Sequence, residues 1–161
     1  MEIVILSDNH SNWKIDVPTP KEDMASVLIH CGDWSYLGSP DEMVDFRNWL
    51  ARQPHTHKLF VWGNHEKIES QELYWKEYLE EVSGVKCIHN TEFTIDGVRF
   101  FGSSYTPIFL NWAFMKDNEQ RKRYWENAPD DIDILVTHGP PFGLLDVVEG
   151  ETKNLRCVHL R

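Results

Sequence analysis

No stretch of this chain reaches about 18 apolar residues, so the sequence offers no helix able to cross a membrane. It is poor in cysteine: Cys31, Cys87 and Cys157 are odd in number and far apart. Without a CxxC pair, neither a zinc knuckle nor a disulfide framework is expected, and a reducing, cytoplasmic setting fits best. Basic residues are in deficit, 16 Lys and Arg against 26 Asp and Glu, for a net charge of −10. That deficit argues against stable nucleic-acid binding, which needs Lys and Arg clusters on the phosphates. It leaves room for a phosphate-bearing substrate met through divalent cations, because bound ions invert the local field. There is no P-loop and no Gly-x-Gly-x-x-Gly, and Ser103-Ser104 lacks the Gly-x-Ser-x-Gly context of a hydrolase nucleophile. No internal repeat, low-complexity segment or linker interrupts the chain. MEIVILSD, with a carboxylate at Glu2 and only a short apolar run, reads as a first strand and not as a signal peptide.

What is present is 161 residues, 41% apolar and 26% charged, enough for a single domain spanning 1–161 with one core. Strand and helix alternate through the first half. Strands are expected at 2–6, 26–30 and 59–62. A helix is expected from Ser39-Pro40-Asp41-Glu42 to about Ala51, with a cap, a first-turn proline and early acids to start it. A second helix is expected over 70–82, ended by Gly84. Short runs at 85–88, 93–95 and 98–101 follow, with Asp96-Gly97 as a hairpin turn. A helix over 117–127 and a strand over 132–136 complete the pattern. Helix-alternated strands imply parallel pairing in one sheet and the hairpin antiparallel pairing in another. The expected class is α/β, layered mixed sheets flanked by helices.

Four apolar runs share one kind of ending. EIVIL leads to Ser7-Asp8-Asn9-His10, SVLIH to Cys31-Gly32-Asp33, LFVW to Gly63-Asn64-His65-Glu66, and IDILVT to His138-Gly139-Pro140-Pro141. In open α/β sheets, ligands bind beyond the carboxyl ends of the strands. Meeting there, Asp8, His10, Asp33, Asn64, His65 and His138 would form a hard-to-borderline oxygen and nitrogen set. Such a set suits manganese, iron, zinc or magnesium. The two oxygens of Asp33 can bridge two ions, and the glycines let the chain turn close to them. Paired ions roughly 3.5–4 Å apart can activate a bridging water and hold a phosphoryl oxygen for in-line displacement. One Asp-x-His or one Gly-Asp alone would be ordinary turn chemistry; four such endings together are not.

These blocks, with LIHCGD, FGSSYTPIFLNWAF and RCVHLR, resemble the calcineurin-like metallophosphoesterases, most of all the small branch named after the animal metallophosphoesterase-domain proteins. The resemblance implies that fold and a pair of divalent ions, with manganese the first choice in vitro. It implies that Asp8 and His10 hold the first ion, Asp33 bridges, and Asn64 and His138 hold the second. His65 would be the acid or electrostatic clamp, touching substrate with Asn64, and Glu66 would steady the loop. The implied activity is hydrolysis of small phosphoesters, such as nucleotides or cyclic nucleotides, by a metal-bridging hydroxide. The family's later Gly-His-x-His block does not occur here, so the fold is expected to be C-terminally shortened, with metal binding and activity weakened. An uncovered sheet edge is expected to be met by self-association or by another chain. The alternative is a catalytically impaired nucleotide- or partner-binding module on the same scaffold.

Other histidines and the tryptophans are read as structural. His159 matches a family helix segment, His30 sits inside an apolar run, and His55 and His57 are expected on the solvated surface. Trp49 and Trp75 fall at helical core spacing. Trp13, Trp34 and Trp112 are candidates either for a substrate pocket or for packing.

Overall fold

A computed structural model describes residues 1–141, Leu144 and Asp146. His159 and the RCVHLR block lie outside the described residues. Strands β1 (Glu2–Leu6), β2 (Ser26–His30), β3 (His57–Phe60) and β4 (Val85–Cys87) form a parallel sheet in that order. Helix α1 (Pro40–Arg52) and helix α2 (Glu72–Glu80) supply the crossovers on its outer face. Strands β5 (Glu92–Ile95), β6 (Val98–Ser103) and β9 (Ile134–Thr137) form a second sheet, antiparallel between β5 and β6, parallel between β6 and β9. Strands β7 (Thr106–Pro107) and β8 (Met115–Lys116) make a small parallel ribbon, and helix α3 (Asn118–Glu126) follows it.

Side-chain alternation explains the layering. All five residues of β2 are buried. A central parallel strand must be apolar on both faces. Leu28 packs with Phe60 against Met43, Phe46, Trp49 and Leu50 of α1 and Trp75 and Leu79 of α2. Val27 and Ile29 face the other way, onto Leu59, Ile95, Phe100 and Val136 between the two sheets. Phe101 turns outward on β6 and stacks with Tyr124 of α3 at 6.5 Å between centroids. The result is a two-sheet sandwich with helices on both outer faces, as the alternation of sequence patterns implies.

Local signals account for most boundaries. Ser39 and Glu42 form a reciprocal capping box at the start of α1, with Pro40 in the first turn. Asp96 and Gly97 take φ of 49° and 82°, the pair of positive values that a two-residue hairpin of matching twist requires. The third strand differs from expectation: its ladder ends at Phe60, although Val61 and Trp62 remain fully buried. Beyond Phe60, Val61 N–H bonds His30 O at 3.1 Å and Trp62 N–H bonds Ser104 Oγ at 2.9 Å, so the chain stays in the core without a continuing strand partner. The second helix begins with a 3-10 turn, Glu69–Gln71, and no side chain caps it. Strand β9 starts two residues later than expected and ends one later, and ahead of it Asp133 N–H bonds Arg99 O at 2.9 Å.

His55 corrects the sequence reading. It is 2% exposed, because the short connection 53–56 between α1 and β3 cannot carry it clear of the protein. Neither of its ring nitrogens has a hydrogen-bond partner among the described residues. Trp13 and Trp34 pack: Trp34 stacks on Phe46 at 4.0 Å, and Trp13 on the same ring at 5.8 Å. On β1, at the sheet edge among the described residues, Ile5 is 65% exposed. No helix among the described residues is long and apolar enough to cross a membrane.

Two buried histidines make the fold sensitive to acid. Burial pushes His30 down to about 3, and burial with the Lys116 and Lys76 charges pushes His89 down to about 4. Both folded values lie below the unfolded value of about 6.5, so the unfolded chain takes up protons that the native state refuses. Their contribution is therefore present above about pH 6.5 and is lost as pH falls, by up to about 1.4 kcal/mol per pH unit for each histidine. Thermal melts of the metal-free protein are expected to show a level Tm above pH 7 and a steady decline between pH 6.5 and 5. The decline should be shallower in His89→Gln. A Tm indifferent to pH across that window contradicts the neutral burial of these rings.

Candidate metal centre

The four polar endings meet, but they come from two sheets. Loops after β1, β2 and β3 leave the parallel sheet, and His138 arrives from β9 of the second sheet. The first two loops are sewn together by their backbones: Asp8 N–H to Gly32 O at 3.1 Å, His10 N–H to Asp33 O at 3.1 Å, Ser11 N–H to Trp34 O at 2.8 Å. Asp8, His10 and Asp33 all adopt positive φ, 54°, 42° and 55°. Side chains with a Cβ avoid that region unless surrounding structure imposes it, and such residues concentrate at functional sites. A Cβ on Gly63 would land on the Asp33 carboxylate, and one on Gly32 would come within 2.7 Å of Gly63 Cα and 2.8 Å of His138 Nδ1. Glycine at both positions is what lets the three loops close on one point.

Asp33, 4% exposed, is that point. Its Oδ1 is 3.4 Å from His138 Nε2, and its Oδ2 is 3.9 Å from His65 Nε2. Ligand-capable atoms of Asp8, Asp33 and His138 lie within 4.8 Å of one another, and so do those of His10, Asp33 and His65. Asn64 joins the first group, with Oδ1 3.0 Å from His138 Nε2. The structure thus pairs Asp8 with His138 and His10 with His65 across a shared Asp33. The resemblance implies Asp8 with His10 on the first ion and His65 outside the ligands; side-chain proximity alone groups them differently.

The hydrogen bonds fix which ring nitrogens are available. Nδ1 of His138 lies 2.9 Å from Cys31 O, that of His10 3.1 Å from Ser35 O, and that of His65 2.8 Å from Tyr36 O. A carbonyl only accepts, so each Nδ1 carries the hydrogen and donates it, and each neutral ring keeps its lone pair on Nε2. For His138 and His65 that lone pair faces oxygens of Asp33, and for His138 also the Asn64 oxygen. Lone pairs aimed at one another repel unless positive charge lies between them. A divalent ion beside Asp33 would satisfy the Asp8, Asn64 and His138 atoms, a proton on Nε2 would do the same for His65, and backbone carbonyls behind metal-bound imidazoles are the usual outer support. The donor set holds no thiolate: burial and Asp8 push Cys31 up to about 11, which keeps it a thiol. Oxygen and imidazole donors suit a hard-to-borderline divalent ion.

Access to this point is through a cleft of about 290 Å³. Asp8, Asp33, Asn64 and His138 form its polar side, and Pro107, Phe109, Met115 and Pro140 its apolar side. A larger hollow of about 680 Å³, lined by Tyr105, Lys116, Arg123 and Tyr124 among others, contains none of the candidate ligands.

Glu66 holds two of the loops in register. Its carboxylate is fully buried and accepts four hydrogen bonds: Asp33 N–H (2.9 Å), Ser35 N–H (2.9 Å), Ser35 Oγ–H (2.7 Å) and Gly63 N–H (2.6 Å). Burial and the adjacent Asp33 charge push Glu66 up to about 7, against the pull of its donors. Ser35 was not singled out from the sequence, and neither were the Ser35 and Tyr36 carbonyls that orient His10 and His65. A backbone carbonyl leaves no mark on residue identity. Glu66→Ala leaves four donors buried and is expected to destabilise the fold by more than about 3 kcal/mol. Glu66→Gln, which keeps one acceptor oxygen, should lose less. Urea melts at pH 8 check this order; equal midpoints for wild type and Glu66→Ala would remove Glu66 from the account.

The sequence matches the family model described as calcineurin-like phosphoesterase over residues 1–156. Metallophosphoesterase domain-containing protein 1 of Homo sapiens is 34% identical over 98% of this chain and 54% of its own length. A UPF0046 protein of Caenorhabditis elegans is 35% identical over 91% of this chain and 53% of its own length. A probable rhamnogalacturonate lyase C of Emericella nidulans is 33% identical over 91% of this chain but 14% of its own length. The chain spans about half the length of the first two of these relatives. By the extent of the family match and by these identities, the chain belongs to the calcineurin-like phosphoesterases, in the small branch of the metallophosphoesterase domain-containing proteins.

Proposed function

We propose that this chain hydrolyses small phosphoesters, nucleotides or cyclic nucleotides among them, at two divalent cations held by Asp8, His10, Asp33, Asn64 and His138, with His65 as the acid. The observation that carries the proposal is the set of imidazoles whose Nδ1–H is committed to backbone carbonyls while Nε2 faces the Asp33 and Asn64 oxygens. Paired divalent ions, when bound, would lower the pKa of water and neutralise charge on a phosphoryl group. Manganese is the ion of choice for reconstitution, since oxygen and imidazole donors accept it readily.

The chain's own residues do the rest. Asp33 offers one oxygen to each side, so the spacing of the two positions is set by a single buried carboxylate. Tyr36 O fixes the tautomer of His65, so any proton that this ring gives up leaves from Nε2, the atom on the side of Asp33. Asn64 and His65 are adjacent on one turn and in this reading would contact the substrate phosphate and the departing oxygen. The apolar wall of Phe109 and Met115 supports a substrate whose ester group is not itself highly charged. The scarcity of cysteine supports a reducing, cytoplasmic setting.

The test is hydrolysis of a generic aryl phosphodiester by the manganese-loaded protein. Asp33→Ala is expected to abolish turnover. His65→Ala should lower kcat by about 10²–10⁴-fold, the range for loss of a general acid. Metal-loaded wild type without turnover, or Asp33→Ala with turnover intact, would refute the proposed activity. No bound metal and no turnover, in a protein that still melts cooperatively, would favour a binding module.

A further inference from the structure

Trp112 lies in the 108–114 connection between β7 and β8, and its indole is turned inward onto the site. It stacks on the His65 imidazole with centroids 4.1 Å apart and planes 24° from parallel. Lys67 Nζ lies 4.4 Å from the centroid of the same indole. The imidazole fills one face of the ring, so the ammonium covers the other, and cation–π attraction holds the indole from behind. On its other flank His65 meets His10 edge-on at 4.6 Å.

The backbone on the C-terminal side of Trp112 is anchored to the turn that carries His65. Ala113 N–H bonds Asn64 O at 3.0 Å, and Phe114 N–H bonds Glu69 Oε1 at 2.9 Å. Two bulky residues near the indole, Leu110 and Phe114, take φ of 55° and 53°. That is a conformation side chains with a Cβ resist, and it persists only where the surroundings impose it. Phe114 is repaid by burial in the core at 2% exposed, but the loop tip is not: Ile108 is 62% and Leu110 74% exposed. Besides seating Phe114 in the core, the strained loop delivers an indole against His65.

His65 needs such a partner. Among the described residues its ring makes one hydrogen bond, from Nδ1 to Tyr36 O. A ring held at one atom can still swing about that bond, carrying Nε2 through an arc. A stacked plane removes that freedom. We infer that Trp112 is the positioning residue for His65: with Lys67 behind it, it fixes the imidazole plane so that Nε2 stays on the side of Asp33. This inference rests on the reading of His65 as the acid in the proposed activity.

The test combines kinetics with a signal that needs no turnover. In the manganese-loaded protein, Trp112→Leu, similar in bulk to the ring's anchoring half but without an aromatic face, is expected to lower kcat about tenfold or more, as a displaced reacting group does. KM should stay within about twofold, since the defect is in alignment and not in ground-state binding. Trp112→Phe, which keeps a face, should recover most of the loss. In a His65→Ala background, Trp112→Leu should change nothing further. In the metal-free protein, the His65 Hε1 resonance, assigned by its loss in His65→Ala, should be displaced by the indole ring current. It should return toward the position of an unstacked histidine in Trp112→Leu.

A His65→Ala defect without a Trp112→Leu defect, or an unmoved resonance, overturns the positioning role and leaves the proposed activity standing. Full activity in His65→Ala overturns the acid reading and this inference with it. If wild type shows no turnover, the hydrolase reading falls, and the resonance alone decides whether Trp112 orients His65.

Discussion

The two oxygens of Asp33 each face an imidazole nitrogen whose ring partner already donates to a main-chain carbonyl. Three acceptor-bearing groups, buried or half-buried, are therefore held against one another with no proton assigned between them. In a medium less polarisable than water such a cluster calls for positive charge, a proton on Nε2 or a bound cation, beside Asp33. The rest of the structure is legible as the means of holding that cluster together: glycines where a Cβ would strike Asp33 or His138, left-handed φ at Asp8, His10 and Asp33, and Glu66 binding the backbone of two loops at once.

Holding it requires stability from elsewhere, and the aromatic layer beneath α1 supplies it. Phe46 stacks on Trp34 at 4.0 Å and meets Phe60 edge-on at 5.8 Å, with Trp49 and Trp13 completing the pile. Trp34 directly follows Asp33, so the same short segment that offers the bridging carboxylate is pinned into the core by the next side chain. His30 does similar work one layer away: wholly buried, it bonds the Asn9 side chain at 2.7 Å and so ties β2 to the loop between Asp8 and His10. Core packing and site geometry are joined through neighbours in sequence.

The sequence made the site visible because ligand chemistry restricts residue type, and the close approach of backbones restricts Gly32 and Gly63 further. Hence Asp8, His10, Asp33, Asn64, His65 and His138 could be named, and the structure brings all six together. Their grouping could not be read, because it depends on how β9 of one sheet faces β1 to β3 of the other. Ser35 and the Tyr36 carbonyl escaped notice for a different reason: they act through backbone atoms that every residue possesses. The end of β3 at Phe60 and the burial of His55 were set by partners distant in sequence, which local patterning does not encode. The hairpin at Asp96-Gly97 and the cap at Ser39 were fully local, and both stand where the sequence puts them.

The most direct test of the shared-carboxylate centre is metal stoichiometry after manganese loading and exhaustive dialysis, measured by elemental analysis on wild type, Asp33→Ala and His138→Ala. Two positions bridged by one residue predict about two ions per chain in wild type, about one in His138→Ala and none in Asp33→Ala. Wild type that retains no ion, or Asp33→Ala that retains as many as wild type, would contradict the account.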